Sequence, residues 1–380
     1  MTSSSSPFQV LLDKGVRMPH AESVYVAEDV DPGRIHADVV LHPGTRLQGA
    51  ACSIGPGSEI GSETPATVIN CQMGSGVSLK GGYFEGSVFL DGSSVGSAAH
   101  VRPGCLLEEE ASAAHAVGLK QTILFPFVTL GSLINFCDVL MAGGTSRKNH
   151  SEVGSSFIHF NFTPHGDKAT ASLIGDVARG VLLHQPPIFL GGQGGIVGPV
   201  EMEYRVVQAA GSICRRDLMK PGHLFQSAVT EERWQPYQPG IIRDPEEKWR
   251  KNLAYIGSLR GLRAWYSEVR MAVMSKDPYT RACLEGAIDL LDNAVKERMK
   301  QLKKWIGFLP GSQWKRRYAS FVEALAAPMD LTFLRSAAAD FPSAPGYVEK
   351  VQSLPPEQQE QIEKFFNLEL QRLSAQTAAT

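Results

Sequence analysis

Aliphatic residues recur every six positions in the first half of this chain. Ile35, Leu41 and Leu47 form one such series, and Ile54 and Ile60 form another. A helix buries residues at spacings of three and four, and a strand of an ordinary sandwich buries every second residue, so a period of six fits neither. The period is typical of a hexapeptide β-helix, in which one turn of the coil buries its apolar side only by stacking on the next turn.

Small, polar and turn-forming residues fill the positions between the aliphatic ones, as in the segment SIGPGSEIG. Glycine suits the tight corners of such a coil because they need a positive φ. We interpret residues 23–220 as the coil domain, preceded by an N-terminal segment at 1–22, and we expect interruptions near 62–67 and 177–187. The alternative is a β-sandwich with Gly-rich turns, which the regular spacing disfavours.

From residue 240 to residue 380 the pattern becomes that of amphipathic helices. One apolar stripe has spacings of three and four, and its members are Leu284, Ile288, Leu291, Val295, Met299, Leu302 and Ile306. Such a stripe predicts a long helix that packs against another surface. Residues 255–269 repeat the pattern and predict an earlier helix. The chain is therefore predicted to be mainly β, with a β-helix followed by an α-helical domain.

The composition excludes several classes of partner. A formal net charge of -2 gives no reason to expect nucleic-acid or membrane-surface binding. The basic residues around Trp305 and Trp314 are interpreted as the solvated face of a helix rather than as a nucleic-acid site. The six cysteines have no CxxC spacing, so neither a disulfide framework nor a metal site is expected. With no run of about 18 apolar residues, a soluble cytoplasmic protein is predicted.

Four segments carry a resemblance to a known family. They are LLDKGVRMPHAESVYVAEDV, VRPGCLLEEEASAAHAVGLKQTIL, EVGSSFIHFNFTPHGDK and GGQGGIVGPVEMEYRVVQAAGSICRRDL. In this order they resemble the left-handed β-helix acetyltransferase half of the bacterial bifunctional N-acetylglucosamine-1-phosphate uridylyltransferase / glucosamine-1-phosphate acetyltransferase. The resemblance covers residues 11–218 and not the helical domain. It implies a left-handed coil and a homotrimer with the acyl-transfer pocket between subunits. The nucleotidyltransferase half lies outside the resemblance, which makes a separate nucleotidyltransferase a possible partner.

The resemblance also implies roles for individual residues. Arg102 and Lys120 would hold the phosphate of a sugar phosphate, with Lys168 as a third cation. The residues implied to contact the sugar or shape its pocket are Asn135, Asn161 and Phe162, and Glu152 stands where the family has an asparagine that contacts the sugar. His165 is a further candidate because it lies with Asp167 and Lys168 in a polar cluster on a loop; a merely solvated loop is the alternative. Those implied to contact acetyl-CoA or a related acyl-CoA are Gly192, Ala210 and Arg216. Arginine and lysine suit the first role because the guanidinium fork and the ammonium both bind phosphate oxygens.

The chain departs from the family at the catalytic base. The resemblance aligns Asn135-Phe136 with the family's Asn-His pair, and phenylalanine cannot accept a proton. His150, two residues before Glu152, is one candidate replacement, and a merely solvated histidine is the alternative. His159 is another candidate because alternate residues of a strand share a face and it would face as Asn161 does; a histidine with only a structural role is equally consistent.

Two functions remain open from the sequence. The first is an acyl-CoA-dependent acyltransferase that acts on a sugar phosphate or nucleotide sugar, with His150 or His159 as base. The second is a non-catalytic hexapeptide-repeat protein that binds the same ligands as a scaffold or regulator. Phe136 favours the second function unless another base reaches the pocket. No metal site is expected, because the spacing of the histidines matches no metal-binding signature.

Overall fold

A left-handed parallel β-helix of about 11 turns forms the first part of the described chain, and α-helices follow it. The computed structural model describes residues 5–163, 167–228, 242–274 and 276–378, together with 232, 234 and 236. The predicted fold class is thereby confirmed. Within these residues no helix combines the length and the apolar character needed to cross a membrane.

The strands of the coil form three flat faces. Face 1 comprises Tyr25–Val26, Arg46–Gln48, Ala66–Ile69, Gly82–Glu85, Ala99–Val101, the first parts of Gly118–Leu124 and Asn135–Met141, then Ile158–Phe160, Gly195–Val197 and Ile213–Cys214. Face 2 comprises Ser53–Ile54, Gln72–Met73, Val88–Phe89, Leu106–Leu107, the second parts of the same two long strands, then Ser172–Ile174 and Glu201–Met202. Face 3 comprises Val40–Leu41, Glu59–Ile60, Ser78–Leu79, Ser94–Val95, Ser112–Ala113, Thr129–Leu130, Glu152–Val153, Phe189–Leu190, Val207–Gln208 and Leu224–Phe225.

The six-residue period marks the positions that point into the coil. Ile35, Leu41, Leu47, Ile54 and Ile60 are all 0% exposed. Neighbouring strands on each face are parallel, so residues one turn apart stack directly on each other. Each interior side chain is therefore covered by the equivalent side chains of the turns above and below it, which is why the pattern must persist along the coil.

An N-terminal helix, α1 (Pro7–Lys14), lies against the first turn. Ser6 caps it by accepting a hydrogen bond from the Gln9 backbone N–H, and Leu11 of this helix is 0% exposed within the coil's apolar core. At the other end the strand Leu224–Phe225 pairs with Val207–Gln208, so the coil continues a few residues past the predicted boundary at 220.

A hairpin and a short helix interrupt the coil among the described residues. A short antiparallel hairpin pairs Gly144–Ser146 with Asn149–His150 between faces 2 and 3. A short helix, α2 (Val177–Gly180), begins the predicted interruption and is capped by Asp176, whose side chain accepts a hydrogen bond from the Arg179 N–H.

Helices make up the remainder of the described chain. They are α3 (Pro245–Ala264), a π-helical segment (Trp265–Arg270), α4 (Met271–Met274), α5 (Pro278–Ile306), α6 (Gln313–Ala326), α7 (Thr332–Ala339), α8 (Tyr347–Gln352) and α9 (Pro356–Ala378). The predicted stripe lies on α5, where Leu284, Leu291 and Leu302 are at most 1% exposed.

The helices cover face 2 of the coil. Helix α5 contacts the strands Ser53–Ile54, Gln72–Met73 and Val88–Phe89, and α3 contacts Ser172–Ile174. The approach is close at Gly286, where an added Cβ would lie 2.3 Å from Gln72 Oε1. Apolar residues of α3 and α5 belong to the same buried cluster as the coil interior, so the helices and the coil share one continuous core.

A buried polar cluster lies at this interface. Tyr266 donates a hydrogen bond to Glu108 Oε1 at 2.5 Å, and Arg270 is paired with both Glu108 and Glu109. The Arg270 guanidinium also stacks over the Tyr347 ring at 3.6 Å. Burial raises the pKa of Glu108 to about 7, with Arg270 opposing the shift. Among the described residues, Arg270 is thus the one cation that faces the two neighbouring carboxylates of this buried cluster, and this arrangement favours retention of a proton by one of them.

Glu108→Gln should reduce the pH dependence of stability. Between the carboxyl's ordinary pKa of 4.5 and about 7, the folded chain binds more protons than the unfolded chain, so this group's stabilisation is present at low pH and is lost as the pH rises. We expect the wild-type free energy of unfolding to fall by about 1–3 kcal/mol more than that of the variant between pH 5 and pH 8. Urea unfolding followed by circular dichroism measures these free energies of unfolding.

Glu110→Gln is the matched control, because Glu110 lies two residues away and is exposed. It should retain the wild-type pH dependence. An equal fall in stability for wild type and Glu108→Gln would contradict a titrating Glu108.

A second buried ion pair joins α5 to the coil. Arg298 Nη2 lies 2.9 Å from Asp138 Oδ1, and both side chains are less than 10% exposed. Arg298 Nη1 also donates to the Lys168 carbonyl at 3.4 Å. Asp138 occupies a corner of the coil with a φ of 62°. The pair therefore fixes a corner of the coil and the loop that contains Lys168 against the same helix.

Arg298→Met should lower the free energy of unfolding by about 3–5 kcal/mol, because it leaves the Asp138 carboxylate buried without its cation. Adding Asp138→Asn should recover part of this loss, and the double-variant cycle measures the coupling. Lys300→Met, at a side chain 62% exposed on the same helix, is the control and should change stability little. Strictly additive effects of the two substitutions would show that the pair is not coupled.

Candidate functional site

Arg102 and Lys120 lie together in an open groove of about 830 Å³. The groove is at the corner between faces 1 and 2, and α5 forms its opposite wall. Its lining residues are Tyr83, Glu85, His100, Arg102, Pro103, Lys120, Gln121, Asn293 and Glu297. The structure therefore brings the two predicted phosphate-binding cations into one site.

The register of the coil explains why these residues meet. His100 pairs with Tyr83 and with Gly118, and Lys120 pairs with Cys137, so one turn takes 17 or 18 residues. Equivalent residues of adjacent turns lie about 4.8 Å apart. Arg102 and Lys120 thus stand on neighbouring turns of the coil and point outward.

Both cations are available to bind an anion. Within the described residues, neither Arg102 nor Lys120 has a carboxylate oxygen within 4.0 Å. Arg102 Nη2 instead donates to the Cys137 sulfur at 3.3 Å. Two exposed cations one turn apart, without a carboxylate partner, form a suitable phosphate site because their charges act on the same oxygens.

Carboxylates border the same groove. Glu85 Oε2 accepts a hydrogen bond from the Tyr83 hydroxyl at 2.9 Å. Glu297 Oε1 accepts from Gln301 Nε2 at 2.5 Å, and its other oxygen is 3.5 Å from Lys300. The groove therefore has a cationic part, formed by the coil, and acidic residues on both the coil and the helix.

Phe136 does not face the groove. Its side chain is 0% exposed inside the coil and packs edge-on against Phe157, with ring centroids 6.2 Å apart. The residues of this strand that point outward are its neighbours, Asn135 and Cys137. Burial raises the pKa of the Cys137 thiol, so this sulfur is held in its protonated form. Position 136 thus lies inside the coil, which explains why it carries an apolar side chain and not a proton acceptor.

His159 is also inside the coil. It is 4% exposed, its Nε2 is 2.8 Å from the Ser172 hydroxyl, and burial lowers its pKa to about 4. Of the two alternatives for His159, its position fits a histidine with a structural role, because strand parity places it on the interior side with Ile196 as its neighbour one turn away. A neutral buried imidazole here supports the coil rather than a substrate.

His150 and Glu152 lie apart from the groove. His150 is on the hairpin, where its Nδ1 is 2.8 Å from the Arg147 carbonyl and its Nε2 is 4.0 Å from Glu152 Oε2. Glu152 belongs to face 3, between Thr129 and Phe189. Since Arg102 and Lys120 lie at the corner of faces 1 and 2, the structure does not place this pair in the same site.

Asn161 and Phe162 line a second pocket of about 510 Å³. It is lined by Phe160, Asn161, Phe162, Val197, Ile213 and Arg215. Asn161 Oδ1 accepts a hydrogen bond from the Thr170 hydroxyl at 2.7 Å, while Phe162 is 71% exposed. This pocket lies on face 1, further along the coil than the groove, and it is mainly apolar with one cation at its edge.

Lys168 belongs to a loop that the helices hold in place. The preceding residue, Asp167, pairs with Lys248 at 2.7 Å, and the Ala169 carbonyl accepts from Asn252 at 3.2 Å. The Lys168 side chain is exposed and does not line the groove, although Arg298 binds its carbonyl. His165, predicted on the same loop, lies outside the described residues.

The predicted acyl-CoA contacts are divided between two places. Gly192 and Ala210 belong to a corner where successive turns are so close that a Cβ on Gly191 would meet the Ala210 nitrogen at 2.3 Å. Arg216 lines a different pocket, of about 420 Å³ at the end of the coil, with its guanidinium 5.6 Å from the Phe225 ring. Its neighbour Arg215 is the cation beside Phe162.

Sequence reasoning missed His100, Tyr83, Asn293 and Glu297. His100 could have been found by counting, because it lies two residues before Arg102 on the same side of a strand, with Tyr83 one turn earlier. The two rings are in edge contact, with centroids 5.1 Å apart. Asn293 and Glu297 had no such signal, since the sequence does not indicate where α5 meets the coil.

Comparison with known proteins supports the predicted resemblance. The chain is 27% identical over 210 residues to the bifunctional protein GlmU of Shouchella clausii, a match that covers 54% of this chain and 40% of that protein. It is 29% identical over 216 residues to the protein of the same name from Nocardia farcinica, covering 56% and 39%. It is 25% identical over 208 residues to the protein of the same name from a Thermotoga species, a match that covers 55% of this chain and 41% of that protein. No family model matches the chain.

The chain spans about two fifths of the length of the curated relatives it matches. These matches cover little more than half of this chain, so a large part of it lies outside them. Together with the β-helix, they confirm the resemblance to the acetyltransferase half of the bifunctional uridylyltransferase / acetyltransferase.

Proposed function

We propose that this protein transfers an acyl group from acetyl-CoA or a related acyl-CoA to a sugar phosphate or nucleotide sugar bound in the groove. The observation that carries the proposal is the pair Arg102 and Lys120, which stand on adjacent turns without a carboxylate partner among the described residues. The similarity to proteins named bifunctional protein GlmU supports the same chemistry.

In the proposed reaction an amine of the sugar attacks the thioester carbonyl. The C–N bond forms, the C–S bond breaks, and the proton lost by the nitrogen is passed to a base and then to the departing thiolate. Arg102 and Lys120 hold the phosphate and so fix the position of the amine, which lowers the entropic cost of the reaction.

We assign the role of base to His100. Histidine is the side chain that most often accepts a proton in general-base catalysis. His100 is exposed and lines the same groove as the two cations. His150 on the hairpin and His159 inside the coil do not line it, so the geometry favours His100 over both.

We place the acyl-CoA beside the second pocket. Phe160, Phe162 and Val197 provide an apolar wall, and Arg215 provides a cation for a phosphate of the coenzyme. Gly192 and Ala210 would contribute backbone groups at the neighbouring corner. Arg215 replaces the predicted Arg216 in this role because Arg216 faces the end of the coil.

We further propose a homotrimer in the cytoplasm. Because the helices cover face 2, subunits would meet through faces 1 or 3. Face 3 supports this arrangement because it exposes Phe189, Val207 and Leu224 in register on successive turns. All six cysteines are free thiols, which is consistent with a reducing compartment. A separate nucleotidyltransferase that uses the product is a proposed partner.

Arg102→Ala and Lys120→Ala should each weaken binding of glucosamine-1-phosphate about 10- to 100-fold, because each removes a charge-assisted contact with phosphate. Isothermal titration calorimetry measures the dissociation constants. Arg46→Ala is the matched control, since Arg46 is exposed on face 1 and its guanidinium stacks over the Tyr25 ring away from the groove, and it should bind as the wild type does. Unchanged affinity in both groove variants would refute the phosphate site.

His100→Ala should lower the rate of acetyl-CoA-dependent thiol release about 10²- to 10⁴-fold while leaving the affinity for glucosamine-1-phosphate nearly unchanged. A thiol-reactive dye follows the release. His150→Ala tests the competing base and should retain wild-type turnover. Loss of turnover in His150→Ala alone would transfer the role to the hairpin. Sugar-phosphate binding without any thiol release in the wild type would favour the non-catalytic scaffold.

A further inference from the structure

We propose that the helical domain selects the substrate: Asn293 and Glu297 of α5 recognise the polar groups of the sugar, with Glu297 binding an ammonium group and Asn293 a hydroxyl. This inference rests on the proposed function of the groove and adds to it. The helical domain lies outside the resemblance, so the role of these two residues cannot be taken from the family.

The two residues share one face of α5. They are four positions apart, which places them on adjacent turns of the same side of a helix. Both line the groove that contains Arg102 and Lys120. One wall of the groove is therefore a strand ladder that provides the two cations together with Glu85, and the other is a helix that provides an amide and a second carboxylate.

The helical wall is held rigidly against the coil. Arg298, the residue after Glu297, is buried and paired with Asp138 at 2.9 Å. About three turns of helix earlier, Gly286 lies against the Gln72 side chain, whose Oε1 would be 2.3 Å from an added Cβ. A wall fixed at both places keeps a nearly constant distance from the cations, and a constant distance is what discrimination between ligands requires.

The charges favour a ligand with a positive group at a distance from its phosphate. Glu297 is half-buried, and burial alone would raise its pKa. The hydrogen bond from Gln301 and the nearby cations outweigh the burial and lower the pKa. Glu297 is therefore an anion at neutral pH. The contacts of Glu297 with Gln301 and Lys300 occupy only part of its capacity to accept hydrogen bonds, because a carboxylate has about four lone-pair sites. An amino-sugar phosphate carries the complementary charges.

Asn293 provides a neutral contact on the same wall. Its side chain is exposed, and an amide can both donate and accept hydrogen bonds, as a sugar hydroxyl does. The pair would therefore separate ligands in two ways: Glu297 by charge, and Asn293 by the presence of a ring with hydroxyl groups. Inorganic phosphate, which has neither feature, would reach only the cations.

Three probes test this assignment by calorimetry: glucosamine-1-phosphate, glucose-1-phosphate and inorganic phosphate. Glu297→Gln should weaken binding of glucosamine-1-phosphate about tenfold and change the other two less than about twofold, because only the first probe carries an ammonium group. Asn293→Ala should weaken both sugar phosphates a few-fold and leave inorganic phosphate unchanged. Glu285→Gln, exposed on the same helix, is the control and should bind all three as the wild type does.

The outcomes distinguish this inference from the function on which it rests. Equal losses for glucosamine-1-phosphate and glucose-1-phosphate in Glu297→Gln, or no loss for either, would overturn the role of Glu297 while Arg102→Ala still weakened all three probes. A wild type that binds none of the probes would overturn the proposed function and this inference together. Retained binding of inorganic phosphate shows that a variant is folded and its cations are intact.

Discussion

The stacking of one turn on the next is the constraint on which this structure depends. A single turn cannot bury its apolar residues, so each is covered only by the equivalent residues of its neighbours. Around the groove, the parallel register that results holds residues 17 or 18 positions apart at a distance of one strand spacing. Arg102 and Lys120 are adjacent for this reason, as are Tyr83 and His100. The same packing that stabilises the coil therefore assembles the candidate site.

The helical domain adds a second surface to a coil that would otherwise present three open faces. It covers face 2 through a continuous apolar core and through buried polar contacts at Glu108, Asp138 and Asp167. Buried ion pairs contribute little net stability but are costly to break, so they favour one docking position over others. This position matters because it brings α5 to the edge of the groove, where the helix becomes part of the site.

The chemistry of the site follows from which side of a strand each residue occupies. Phe136 and His159 point into the coil, where a side chain packs against other turns and does not meet a ligand. Asn135, Cys137 and His100 point outward. Alternation along a strand makes a shift of one residue the difference between a core position and a site position. The choice among the histidines for the proposed base therefore depends on strand parity, and the outward-facing His100 lies on the turn before Lys120.

The sequence by itself determined the coil and its cationic pair, because the six-residue period and the motifs around Arg102 and Lys120 are local in the chain. It also predicted the helical domain from the apolar stripe of α5. It did not determine which histidine faces the groove, since a short strand between corners offers few residues from which to read its parity. Only the tertiary structure decided that Asn293 and Glu297 join the site. Their place depends on how a helix almost 200 residues away docks on face 2, through contacts that no local pattern encodes.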